Sequence, residues 1–282
     1  FQFTYDPTTG KPSVGGDIHQ GLAEAPSYKP GLAPKSVDVP ATGESLTISY
    51  KQVHGILQQP FLTSTAGWKF WGWGKAEAEQ RQLMADSRGY DIWLYPDGRH
   101  VGVLCWCDGG NSVLGRHPQN LDDNIEKSAI FSGYSNVIGG MATMLMKIDV
   151  TERKPVAGTF LASHVFFHAT DRWGRLYVPK QVGRRNASST LTDAFHLGEG
   201  IKEAGLFVLD TDLKTNLFHA PLGGPGATRQ SMGLIAIQDN LAILGGFTDA
   251  PSMPVINGTQ EKPGDGIDAL IAVIQLWDKT GG

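Results

Sequence analysis

An apolar, strand-like segment that opens on a small residue and closes on a polar turn occurs three times in this chain. The copies are Thr143-Met-Leu-Met-Lys-Ile-Asp149, Ala204-Gly-Leu-Phe-Val-Leu-Asp210 and Ala269-Leu-Ile-Ala-Val-Ile-Gln275, at intervals of 61 and 65 residues. Repetition at a nearly fixed period restricts a chain to architectures that stack one supersecondary unit on the next. A second element keeps step with the first: β-prone runs on either side of a polar turn, over residues 92–104, 165–178 and 234–244. Asp97-Gly98, Trp173-Gly174 and Asp239-Asn240 supply residues that tolerate positive φ at those turns. Two of the apolar segments are followed by a turn and a short run, 156–161 and 217–224, that reads as the start of the next unit. The order is strand, hairpin, variable loop, strand, in units of roughly 60–75 residues, as in a four-stranded propeller blade with an insertion before its outer strand.

Composition agrees with this reading. The 282 residues include 36 Gly and 16 Pro against 18% charged residues, a balance that suits short strands and tight turns better than long surface helices. The expected fold class is therefore all-β, a β-propeller or part of one, built of four-stranded antiparallel blades with one short surface helix over Lys75–Asp86. Blades are expected over residues 84–282. Residues 1–83 read as an irregular N-terminal part that holds an extended Pro-rich stretch at 22–45 and an aromatic insertion. The strand-like Phe1–Lys11 resembles residues 274–281, which points to a ring closed by pairing the two ends; the alternative is a ring completed by another chain.

Residues 237–254, with the steps Gly246-Phe247-Thr248 and Pro251 to Pro254, followed by Gly266-Ile-Asp-Ala-Leu-Ile-Ala-Val-Ile-Gln275, carry a likeness to a known repeat. They resemble the bacterial SBBP-type propeller repeats, whose units run "D-x-x-G-N-x-Y-V-x-G-x-T", a Pro-containing loop, then "D-A-F-V-A-K-L". The resemblance covers roughly residues 84–282 and implies an exported, surface or periplasmic protein, mostly without catalysis.

Several function classes fall away on charge and hydropathy. A formal net charge of −4 gives no attraction to phosphate backbones, so a nucleic-acid partner is not expected. No apolar run approaches the roughly 20 residues that a transmembrane helix needs. Phe1 in place of Met is what signal-peptide removal leaves, so the expected location is secreted or periplasmic.

Candidate sites are few. Trp68, Trp71 and Trp73 stand with Phe70 in one short stretch; exposed, they would stack on a glycan or fill a partner's pocket, and buried, they would be blade core. His164 and His168 share one face of an extended segment about 13 Å apart, too far for one metal ion, so a histidine-bound metal needs a further imidazole from a neighbouring blade. Cys105 and Cys107 flank Trp106 on one strand face, open either to a strained disulfide or to two packed thiols. Asp122, Asp123 and Glu126 form a polar loop that is either solvated or a calcium site. No GxSxG elbow, HExxH helix, phosphate loop or dinucleotide fingerprint occurs. The leading expectation is a non-enzymatic scaffold that binds other protein subunits; the alternative is a ligand-binding propeller or propeller enzyme with its site at the channel mouth.

Overall fold

The computed structural model describes residues 2–6, 11–15, 34–54, 57–80, 87–107, 113–125, 128–132, 142–161, 165, 167–182, 205–222, 230–251 and 266–276. It is all-β, with one helix among the described residues. An N-terminal hairpin pairs β1 (Gln2–Asp6) with β2 (Lys11–Gly15). Four sheets then follow in chain order, antiparallel but for one short parallel pair in the second, and the third and fourth run into one another.

The first sheet is β3 (Lys35–Val39), β4 (Glu44–His54), β5 (Leu57–Ser64) and β6 (Lys69–Phe70) in sequential order, followed by α1 (Lys75–Gln80). The second begins with the hairpin β7 (Ser87–Leu94) and β8 (His100–Cys107). A long insertion carries the small hairpin β9 (Arg116–His117) and β10 (Asn120–Asn124) and the short β11 (Phe131–Ser132). The chain returns as β12 (Ala142–Asp149) against β8 and β13 (Lys154–Leu161) against β12.

The third sheet is β14 (Ala169–Thr170), β15 (Leu176–Val182), β16 (Gly205–Leu209) and β17 (Asn216–Pro221). The fourth is β18 (Gln230–Gln238), β19 (Leu241–Thr248) and β20 (Asp268–Gln275). The end of β15 also pairs with β18, joining the third and fourth sheets at one corner.

The three apolar segments pair in the same way. In each, the strand after the insertion pairs antiparallel with the second strand of its hairpin: β12 on β8, β16 on β15 and β20 on β19. The unit's phase differs from expectation, because the short runs after Asp149 and Asp210 become β13 and β17, further strands of the same sheet rather than the start of the next, with the short β11 parallel on the far edge of β13. A tight turn pairs a strand locally, and that proximity outweighs the next unit's claim on it. The expected ring closure is not formed among the described residues: β1 pairs with β2, and β20 pairs with β19 alone.

Strand alternation produces three cores in series. Val101, Val103 and Cys105 of β8 face Leu46, Ile48 and Leu62 of the first sheet, while Leu104 and Trp106 face Leu176, Val178, Phe207 and Leu209 of the third. Leu206 and Val208 turn the other way, onto Met232, Ala242 and Leu244 of the fourth. Each sheet is thus packed between its neighbours in chain order, and the two end sheets each keep one outward face. Close packing of the second junction depends on Gly102, where a Cβ would stand 2.0 Å from the Trp93 ring.

Candidate functional site

Strand direction sorts the connections into two ends. At one lie the short turns 40–43, 65–68, 95–99, 150–153, 171–175, 210–215 and 239–240. At the other, the strands end at the connection 55–56 and at the longer ones 71–86, 108–141, 162–168, 183–204, 222–229 and 249–267.

Aspartates hold the short turns. Asp97 accepts hydrogen bonds from the amides of Arg99 and His100, both at 2.9 Å, Asp149 from that of Glu152 at 3.0 Å, and Asp210 from those of Lys214 and Thr215. Burial alone would raise the Asp97 carboxyl, but the two amides and the His100 ring, which contacts it at 2.7 Å, bring it down to about 2. Asp171 is enclosed and accepts from the amides of Trp173 and Arg175, the Arg175 guanidinium at 2.5 Å and the Tyr177 hydroxyl at 3.1 Å. Local side-chain-to-backbone bonds of this kind rigidify a turn.

Trp71 is fully buried between the first two sheets, with φ +55° and its amide donating to the Pro118 carbonyl of the long insertion. It presents no face to a glycan. Trp68 and Trp73 pack partly buried against the same core, and the Trp68 indole donates to Glu44 at 2.6 Å. The sequence allowed exposed or buried rings, and packing against Phe70 and the insertion determines the outcome.

His168 lies just before β14, its side chain 6% exposed, with its ring 4.1 Å from that of Trp93 and its Nδ1 3.6 Å from an Asp91 carboxylate oxygen. Lys35 reaches the same carboxylate at 3.0 Å. Lys35 lies on β3, Asp91 on β7 and His168 just before β14, so this cluster marks where the first strands of three sheets approach one another. Burial drives the imidazole down to about 4, against the opposing pull of Asp91, so it is neutral at pH 7. Its Nδ1 has no hydrogen-bond partner among the described residues. His164, the side chain of Cys107 and Glu126 lie outside the described residues, while Cys105 is buried in the first core. Among the described residues no three His, Cys, Asp or Glu side chains converge as a metal site, and no helix is long and apolar enough to cross a membrane.

The two outward faces differ in chemistry. On the first sheet, Ser36, Thr47 and Thr63 form a cross-strand row, with Ser36 Oγ and Thr47 Oγ1 2.8 Å apart and Ser45 bonded to Asp38. On the fourth, Leu234, Phe247 and Ile271 are 59, 42 and 46% exposed, with Ile267 beside them at 53%. In sequence these residues stand only as repeat and strand positions, and the unbroken apolar run of 269–274 is the signal for more: a strand covered on one face alternates, and this one does not. In sequence, no known protein family and no curated protein matches the chain.

Proposed function

We propose that this chain is a non-enzymatic, extracytoplasmic scaffold of the β-propeller type, related to the SBBP repeats, which associates with other protein subunits through its last sheet. The observation that carries this reading is the outward face of β18–β20, where Leu234, Phe247, Ile267 and Ile271 are exposed together. An uncovered apolar patch on a rigid sheet is a recognised mark of an interaction surface. The Asp-bound turns support the same reading, since their carboxylates are committed to holding the backbone.

The test is sedimentation of the full chain over a concentration series, with dye binding to apolar surface measured in parallel. Wild type is expected to associate as concentration rises and to bind the dye; Leu234→Lys with Ile271→Lys is expected to remain monomeric and dark at unchanged circular dichroism. A wild type that stays monomeric and dark throughout overturns the reading.

A second reading, a small-ligand site where first strands meet, is favoured by the buried His168 Nδ1, which has no hydrogen-bond partner among the described residues, beside Asp91 and Lys35.

A further inference from the structure

The outward face of the last sheet has relief as well as apolar character, and the strand register gives its shape. Four cross-strand rows run over β18, β19 and β20. The first is Ser231, Phe247 and Ala269, bulky at its centre. The second is Leu234, Gly245 and Ile271, with a bare centre between two large side chains. The third reverses this, with Ile243 at the centre between Ala236 and Val273, and the fourth sets Leu241 between Gln238 and Gln275. Gly245 is thus the floor of a trough whose walls, Leu234 and Ile271, both stand exposed. No side chain of the four rows is charged.

We propose that the occupant of this face is a second copy of the chain, packed face to face about a twofold axis that runs across the strands between the second and third rows. That operation lays the third row of each copy over the second row of the other. Ile243 of each copy then enters the Gly245 trough of the other, and Leu234 comes down on the small Ala236. The first row lies over the fourth, Phe247 against Leu241, so all four rows are used. An axis on the second row itself would set Leu234 against Leu234 and Ile271 against Ile271, wall on wall, over a hollow centre. Sheets that pack face to face lie about 10 Å apart and within about 30° of one another, so the match is closest at the centre of the face.

Size and charge fit the same occupant. Three strands about 4.8 Å apart and four rows about 6.8 Å apart cover on the order of 400 Å² per copy. Stable complexes bury about 800 Å² on each side, so this contact gives a reversible dimer that forms as concentration rises. An uncharged face meets no repulsion from its own copy and offers nothing that would select a charged partner.

This inference rests on the reading of the last sheet as an interaction surface, and the experiment separates the two. Sedimentation equilibrium of the full chain is followed with dye binding alongside, and the mass is expected to rise from one chain to two and stop there. The discriminating variant is Gly245→Ile, because it enlarges the apolar face while filling the trough. A Cβ at Gly245 would lie 3.4 Å from the Leu234 side chain, and the residue sits in regular strand, so the sheet accepts the substitution. The dimer dissociation constant is expected to rise at least tenfold with dye binding retained. Ile243→Ala, which removes the knob, is expected to weaken the dimer about tenfold. Ile243→Ala with Gly245→Ile exchanges knob and trough, and is expected to dimerise more tightly than Gly245→Ile alone. Each variant is checked by circular dichroism, and Ile243→Ala carries the test if Gly245→Ile does not fold. Dimerisation of the variant as tight as wild type, or a wild-type mass that climbs past two chains, overturns the twofold packing. A wild type that binds the dye yet keeps the mass of one chain at every concentration overturns the second copy as occupant and leaves the interaction surface standing.

Discussion

The first and last sheets are built alike and finished differently. Both are antiparallel, both bury one face against a neighbour, and both turn the other face outward. On the first, a Ser and Thr row satisfies itself across the strands, and Lys51 reaches the Gly72 carbonyl beside α1. On the last, leucine, isoleucine and phenylalanine side chains stand where the serines and threonines stand on the first. Apolar rows in this protein are otherwise found between sheets. A finished end thus differs from an unfinished one not in strand geometry but in what alternate residues face.

The comparison presumes that both end sheets hang from a rigid interior, and the largest expected effect comes from removing that rigidity. Asp171→Ala leaves the Arg175 guanidinium buried without its carboxylate and removes the acceptor of the Tyr177 hydroxyl. Unfolding by urea should show a loss of about 3–5 kcal/mol. A loss below about 1 kcal/mol would mean that the third sheet does not carry the fourth.

Next in size is a dependence on pH that belongs to the inner strands and to neither end. His168 accepts a proton near pH 4 when folded and near 6.5 when unfolded. Below 6.5 the unfolded chain binds a proton that the native chain refuses, so stability falls as pH drops toward 4 and this contribution is level below that, a span on the order of 3 kcal/mol. Asp97, held down to about 2, loses its contribution only below the ordinary carboxylate range, so the two windows do not overlap. His168→Gln should flatten the slope between pH 6.5 and 4; an equal slope in the variant would assign it to another group.

The smallest effect on stability makes the sharpest comparison. Thr47→Val with Thr63→Val makes the outer face of the first sheet resemble that of the last. Unfolding should change by no more than about 0.5 kcal/mol for surface positions of this kind, while sedimentation should show new self-association. A variant that remains as soluble as wild type would mean that the outward chemistry of an end sheet does not decide whether it associates.

Much of this architecture was legible in the chain. Hairpins are local, and residues such as Asp97-Gly98 announce their turns, so three units could be counted from sequence. The phase of the unit was not, because whether β13 closes one sheet or opens the next is decided by a partner that pattern alone does not name. The first sheet escaped notice because its outer face carries Ser and Thr in place of the apolar row that defined the repeat. The cluster of Lys35, Asp91 and His168 was legible only as a lone histidine, since its members come together through stacking of sheets distant in sequence. The burial of Trp71 depends on the Pro118 carbonyl of an insertion with no repeat signal of its own.

The segregation of short turns from long connections bears on how such a chain changes over generations. Closing a flexible loop costs entropy only as the logarithm of its length, so doubling one adds about 0.6 kcal/mol. Insertions at that end are nearly neutral for the framework, whereas a single residue added within an Asp-bound turn shifts the register of the strand after it and turns its apolar row to the wrong side. Length variation among descendants of this chain should accumulate at one end, while the other keeps its spacing long after the intervening residues have diverged.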